Sequence, residues 1–159
     1  MNREGVHLRA SIMHTEQGNW LHEMTHMFYY GRMPGWFEET SVRVLTIAVW
    51  IHNLVPGNPP PDKDTKYQRY MLQGHDLIDN PDKIFDDLEP ILVALIVKYG
   101  EGVYSRFFRA VAEAAKKGEI EFVLERPITQ NQLLKYMSQA AGEDVTPIFR
   151  RWRQFRDRP

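Results

Sequence analysis

Two histidines and a glutamate stand at a spacing that suits metal-assisted hydrolysis. His22 and His26 are four positions apart, so on an α-helix they lie one turn apart on one face, where two imidazoles can bind one zinc ion. Zinc lowers the pKa of a bound water toward neutrality, and Glu23, beside His22, is placed to take its proton. The motif therefore predicts a catalytic zinc site with Glu23 as the general base.

Such a site needs a further ligand, because a catalytic zinc usually has three protein ligands and a water. Glu38 and Glu39 are the candidates, and Glu39 follows His26 by thirteen positions. Pro34-Gly35 predicts a turn that returns the chain alongside the first helix. From spacing alone either glutamate can be the ligand. An acidic pair early in a helix also suits the helix dipole without any metal.

The elements that must hold these residues can be read from the hydrophobic pattern. Residues 6–12 alternate apolar and polar, which predicts one half-buried strand. Residues 20–30 form a predicted helix that carries His22 and His26, and Gly31 is its expected C-cap. A second helix is predicted over residues 36–53, with the two glutamates near its start.

The rest of the chain is predicted to be helical. A proline-rich loop at 56–62 precedes a short helix at 66–73, and an apolar run at 88–99, stopped by Gly100, is typical of a buried helix. Further helices are expected at 101–117, which is amphipathic, at 130–141 between Thr129 and Gly142, and around Val145, Ile148, Phe149 and Trp152. The fold class is therefore mainly α, with an α+β remnant at the N-terminus.

Composition limits the alternatives. The chain has 159 residues, 43% of them hydrophobic, which suits a single domain over 1–159 with a core of its own. There is no cysteine, so any metal must use His, Asp or Glu. The formal charge is -1, and the C-terminal arginines alternate with aromatics in a pattern typical of a packed helix, so no nucleic-acid partner is expected.

Neither a membrane span nor a signal peptide is predicted. No apolar run is long enough to cross a bilayer, and residues 1–5 lack the apolar stretch of a signal peptide. The chain is therefore either cytosolic or a piece of a longer, exported precursor. Localisation and oligomeric state stay open.

The zinc motif resembles that of the gluzincin metallopeptidases. Trp36-Phe37-Glu38-Glu39 is similar to the tryptophan-x-x-glutamate segment that carries the third ligand in many gluzincins, and that register implies Glu39. The short gap after His26 is similar to that of the enhancin-like, mucin-degrading peptidases. Segments 99–108, 136–144 and 147–152 are also similar to segments of that group. The resemblance implies a zincin-like catalytic domain that binds Zn²⁺ through His22, His26 and Glu39 and hydrolyses a polypeptide or glycoprotein.

Two departures from the family leave other functions open. Thr40 follows Glu39 where many gluzincins have glycine, and less chain precedes the zinc helix than in larger members. One alternative is a catalytically inactive zincin-like module that recognises a protein or glycoprotein, and another is a helical interaction domain without metal. The candidates for stabilising the oxyanion are Tyr67, Tyr70, His75, Tyr99 and Tyr104.

Overall fold

A computed structural model describes residue 26 and residues 30–51, 66–100 and 102–156. The predicted strand at 6–12, most of the predicted helix at 20–30, including His22 and Glu23, and the loop at 56–62 lie outside the described residues. The helices are α1 (Gly35–Ile51), α2 (Lys66–Asp79), α3 (Glu89–Tyr99), α4 (Val103–Lys116), α5 (Gln130–Ala141) and α6 (Thr146–Phe149).

The mainly helical fold class is confirmed over the described residues. Their only β pairings are two isolated bridges, one parallel between Phe85 and Trp152 and one antiparallel between Val123 and Arg126. Within this part of the chain, no helix has the length and apolar character needed to cross a bilayer.

Helix α3 is the centre of the core, as its apolar sequence predicts. Its first seven residues are all buried, and α2, α1 and α4 pack around it. Helix α2 approaches α3 closely at Gly74, where an added Cβ would lie 2.7 Å from Cγ1 of Val93. Helix α2 is longer than the predicted helix at 66–73, since it continues through Gly74 and ends at Asp79.

Helices α4 and α5 pack against each other by their apolar faces. Val103, Phe107 and Val111 on α4 are buried, as the predicted amphipathic pattern requires. Thr129 caps α5 as predicted: its hydroxyl accepts the Gln132 N–H, and the Gln132 side chain accepts the Thr129 N–H. Gly142 ends α5 in the left-handed conformation, with a φ of 82°.

The predicted last helix is too long. Helix α6 ends at Phe149, and Trp152 follows in a turn segment rather than in a helix. The backbone of Phe85 explains the early end, because its N–H donates to the carbonyl of Arg151 and its carbonyl accepts the N–H of Arg153, both at 2.8 Å. The expected packing is nevertheless present, since Phe149 and Phe155 are buried.

Helix α1 is anchored in this core by its first aromatic residues. Phe37 is fully buried, with its ring centroid 5.9 Å from that of Phe107. The Trp36 ring lies 5.5 Å from Trp152 and 6.2 Å from Phe149, both in the C-terminal segment. The two glutamates that follow Phe37 are therefore carried by a rigidly packed helix start.

Candidate functional site

A tight turn brings the start of α1 back to His26, but it lies at residues 30–32 and not at the predicted Pro34-Gly35, since Gly35 already begins α1. His26 is helical, and its carbonyl accepts the Tyr30 N–H at 2.7 Å. Gly31 then takes a φ of 64°, a left-handed conformation that reverses the chain and that glycine adopts without steric cost. The carbonyl of Pro34 accepts the N–H groups of Phe37 and Glu38, which starts α1 beside His26.

The imidazole of His26 lies between the two glutamates. Its Nε2 is 3.2 Å from Oε2 of Glu39, and its Nδ1 is 3.3 Å from Oε1 of Glu38. The two carboxylates thus contact different nitrogens of the His26 ring. In this arrangement, a metal ion bound to one of these nitrogens can be bound by only one of the two glutamates. The two glutamates therefore lie on different sides of one histidine ring.

The surroundings of the two glutamates also differ. The Glu38 side chain is only 10% exposed, and its Oε2 accepts the N–H of Gly31 at 3.0 Å. The Glu39 side chain is 49% exposed, and its Oε1 accepts from the Arg43 guanidinium one turn along α1. Glu39 is therefore the more accessible of the two glutamates to a ligand from solvent.

An open cleft of about 770 Å³ adjoins these residues. One side comes from the turn after His26 and from α1, and the other from a second turn at 123–126, where Glu125 has a φ of 67°. The Ile128 N–H donates to the carbonyl of Arg32 at 2.9 Å, which fixes the two turns together. The lining residues are His26, Tyr30, Gly31, Met33, Gly35, Glu38, Glu39, Leu124, Glu125 and Pro127.

The cleft has an exposed apolar rim. Tyr30 is 49% exposed and Leu124 is 55% exposed, and they stand on different walls. The ring of Tyr30 also lies edge-on to the imidazole of His26, with centroids 6.2 Å apart. Apolar side chains of this size beside charged groups are typical of a binding cleft.

The described residues fit part of a zinc site. Two ligands of a tetrahedral zinc at ordinary bond lengths are about 3.3 Å apart, close to the 3.2 Å that separates Nε2 of His26 from Oε2 of Glu39. No group of three or more metal-binding side chains occurs among the described residues. The remaining predicted ligand is His22 and the predicted base is Glu23. Both lie outside the residues that the structure describes.

The residues that the sequence offered for stabilising the oxyanion lie elsewhere in the structure. Among those whose side chains are described, none lines the cleft. The Tyr104 hydroxyl is buried and donates to the carbonyl of Leu92 at 3.0 Å, and that of Tyr99 donates to Glu143 at 2.7 Å. His75 is exposed on α2 and Tyr70 belongs to the core.

Sequence reasoning missed three residues around this site. Arg43 was detectable, because it stands four positions after Glu39 at the spacing of a helical ion pair. Tyr30 and Leu124 carry no such signal, since their meeting at one cleft depends on a contact between segments far apart in the sequence.

Comparisons with protein-family models, curated proteins and solved structures found no match.

Proposed function

We propose that the protein is a zinc-dependent peptidase of the gluzincin type, with His22, His26 and Glu39 as zinc ligands and Glu23 as the general base. The observation that carries the proposal is the pair formed by His26 and Glu39. Nε2 and Oε2 lie 3.2 Å apart, as two donors to one zinc ion would, and they do so beside an open cleft. The motif at His22 supplies the remaining groups.

The choice of Glu39 over Glu38 is supported by access. A hydrolytic metal needs an open position for water and substrate. Glu39 faces the cleft with half of its side chain exposed, whereas Glu38 is buried and already accepts from the backbone of Gly31. An ion held on the Glu39 side of the ring is therefore accessible to a peptide.

The zinc ion, when bound, supplies Lewis acidity, which polarises a peptide carbonyl and lowers the pKa of water. The carboxylate of Glu23 takes one proton from the attacking water as its oxygen forms the bond to the carbonyl carbon. Glu23 then passes that proton to the amide nitrogen as the C–N bond breaks, which yields a carboxylic acid and an amine.

The form of the cleft supports a polypeptide substrate. It is open rather than enclosed, so it suits a chain that extends past the scissile bond, and its rim offers Tyr30 and Leu124 to an apolar side chain. A glycoprotein substrate is compatible with the same open cleft. These features support the proposal of a zincin-like catalytic domain.

The experiment that tests the proposal combines metal content with turnover. Purified wild-type protein, His22→Ala and Glu23→Gln are analysed for zinc by elemental analysis and assayed on a mixed peptide library with and without chelator. Glu119→Gln, an exposed glutamate outside the cleft lining, is the matched control for the carboxylate change. We expect about one zinc per chain in the wild type, Glu119→Gln and Glu23→Gln, none in His22→Ala, and no cleavage by Glu23→Gln.

Each other outcome has a definite meaning. A wild type that binds zinc but cleaves nothing in the library would support the inactive binding module instead. A wild type that stays free of zinc after zinc is added would leave a helical interaction domain. Wild-type turnover by Glu23→Gln would remove Glu23 from the role of base.

A further inference from the structure

We propose that Glu38 is a positioning residue, whose buried carboxylate holds the His26 imidazole in the tautomer and orientation that present Nε2 to the metal. The inference rests on the proposed function and adds to it a role that the zinc motif does not specify.

A carboxylate oxygen faces each ring nitrogen of His26: Oε1 of Glu38 lies 3.3 Å from Nδ1, and Oε2 of Glu39 lies 3.2 Å from Nε2. A zinc ion on the Glu39 side would need the lone pair of Nε2, so the proton of the neutral ring would then be on Nδ1. The Nδ1–H group would donate to the buried carboxylate of Glu38, and this contact would hold the ring in place.

The fold holds the Glu38 carboxylate in place from several directions. Its other oxygen accepts the N–H of Gly31 at 3.0 Å. The carbonyl of Glu38 accepts the Ser41 hydroxyl at 2.9 Å, and Phe37 beside it is fully buried. A carboxylate fixed in this way restrains the ring that it contacts.

This arrangement matches a general feature of metal sites. A histidine ligand usually donates its other ring N–H to a carboxylate or a carbonyl, which fixes the ring and raises the basicity of the metal-binding nitrogen. Loss of such a partner typically costs about 10- to 100-fold in metal affinity. A glutamate that only capped the N–H of Gly31 would affect stability but not zinc affinity.

Zinc affinity of the full chain, measured by competition with a fluorescent chelator, separates these two roles. The variant is Glu38→Gln, with Glu39→Gln and Glu119→Gln for comparison. The Gln side chain has one acceptor oxygen, so if that oxygen keeps the Gly31 N–H, its amide N–H groups face Nδ1 and favour the tautomer protonated on Nε2. We expect Glu38→Gln to bind zinc about 10- to 100-fold more weakly, Glu39→Gln to lose more, and Glu119→Gln to match the wild type.

A second measurement uses the wild type alone and so does not depend on the folding of any variant. Long-range ¹H–¹⁵N correlation spectra of the zinc-loaded chain, with the His26 signals assigned by their loss in His26→Gln, identify the protonated ring nitrogen. We expect the proton on Nδ1 and the metal on Nε2. The opposite assignment overturns the proposal.

The outcomes for the inference and for the proposed function are distinguishable. Wild-type zinc affinity in Glu38→Gln, with or without a lower melting temperature, overturns the positioning role and leaves the peptidase proposal intact. A greater loss in Glu38→Gln than in Glu39→Gln makes Glu38 the ligand and also overturns it. A wild type that binds no zinc overturns both proposals together.

Discussion

Arg43 donates from Nε and Nη2 to one carboxylate oxygen of Glu39, at 3.2 and 3.1 Å, while the other oxygen of Glu39 faces His26. The remaining Nη1 of Arg43 lies 3.5 Å from Glu89, a nearly buried carboxylate at the start of α3. An exposed ion pair of this kind adds little to stability. Its effect here is to link the proposed ligand to the central helix of the core.

The first prediction concerns that link. Arg43→Gln removes the guanidinium that orients Glu39, and we expect zinc affinity to fall about tenfold. Arg43→Lys keeps the charge but not the planar fork that reaches both carboxylates, so it should lose less than Arg43→Gln. Competition with a chelator measures both values. Equal affinity in the wild type and Arg43→Gln would contradict a role for Arg43 in orienting the ligand.

The second prediction concerns the apolar rim of the cleft. Leu124→Ser removes an exposed apolar side chain from one wall, so KM for peptides with apolar residues should rise about tenfold, with kcat unchanged. Val123→Ser is the matched control, because Val123 is in the same turn and similarly exposed but does not line the cleft. Steady-state kinetics on a series of peptides measure KM and kcat for both variants. A similar rise in both variants would show that the turn, not Leu124, determines binding.

The third prediction concerns the close approach of the two turns at Gly31. A Cβ there would lie 3.3 Å from the Glu125 backbone nitrogen and 3.3 Å from Leu124 Cδ1, in a residue with a φ of 64°. Gly118→Ala shares the positive φ, at 72°, but its Cβ meets nothing within 4 Å. We expect Gly118→Ala to lower the free energy of unfolding by about 1 kcal/mol, and Gly31→Ala to lower it by about 1 kcal/mol more than that. Urea denaturation measures both, and equal losses would mean that the turns separate freely.

The fourth prediction concerns pH. Hydrogen bonds from Lys98, and then from Tyr99, hold the pKa of the Glu143 carboxyl below its usual value. A lowered folded-state pKa stabilises the fold above the unfolded pKa, and this contribution disappears as pH falls through the folded value. Glu143 also raises the pKa of Lys98, a contribution that is present below the unfolded lysine pKa and lost as pH rises through the folded one.

The wild type should therefore melt above Glu143→Gln at neutral pH, and the difference should vanish at about pH 2. Calorimetric melting temperatures across this range test the expectation, with Glu119→Gln as an exposed control outside the cluster. A constant difference at all pH values would assign the effect of the substitution to packing rather than to charge.

Local pattern was sufficient to predict most of the helices. Helix α5 begins after Thr129 and ends before Gly142, as these two capping residues predicted. Helix α3 begins and ends within one residue of the limits of the apolar run at 88–99. Both features depend on neighbouring residues, which a single sequence displays. The end of α6 depends instead on Phe85, whose backbone takes the hydrogen bonds of Arg151 and Arg153. Such a distant partner leaves no local signal.

The same distinction applies to the candidate site. The predicted turn and the spacing after His26 were enough to predict that one of the two glutamates meets this histidine, and the resemblance to gluzincins pointed to Glu39; in the structure both glutamates contact His26. Which glutamate is buried was not predictable from their positions, since the two are adjacent near the start of one helix. That difference comes from the Gly31 N–H and from the packing around Phe37, which only the folded chain brings together.

The stacking of Trp36 on Trp152 has a consequence for biosynthesis. A ribosome makes Trp36 well before the residues that support it, since Phe149 and Trp152 follow Trp36 by 113 and 116 positions. The start of α1 therefore lacks its aromatic support until that segment has emerged from the exit tunnel. The proposed site should therefore reach its final packing only after residues up to Trp152 have left the tunnel.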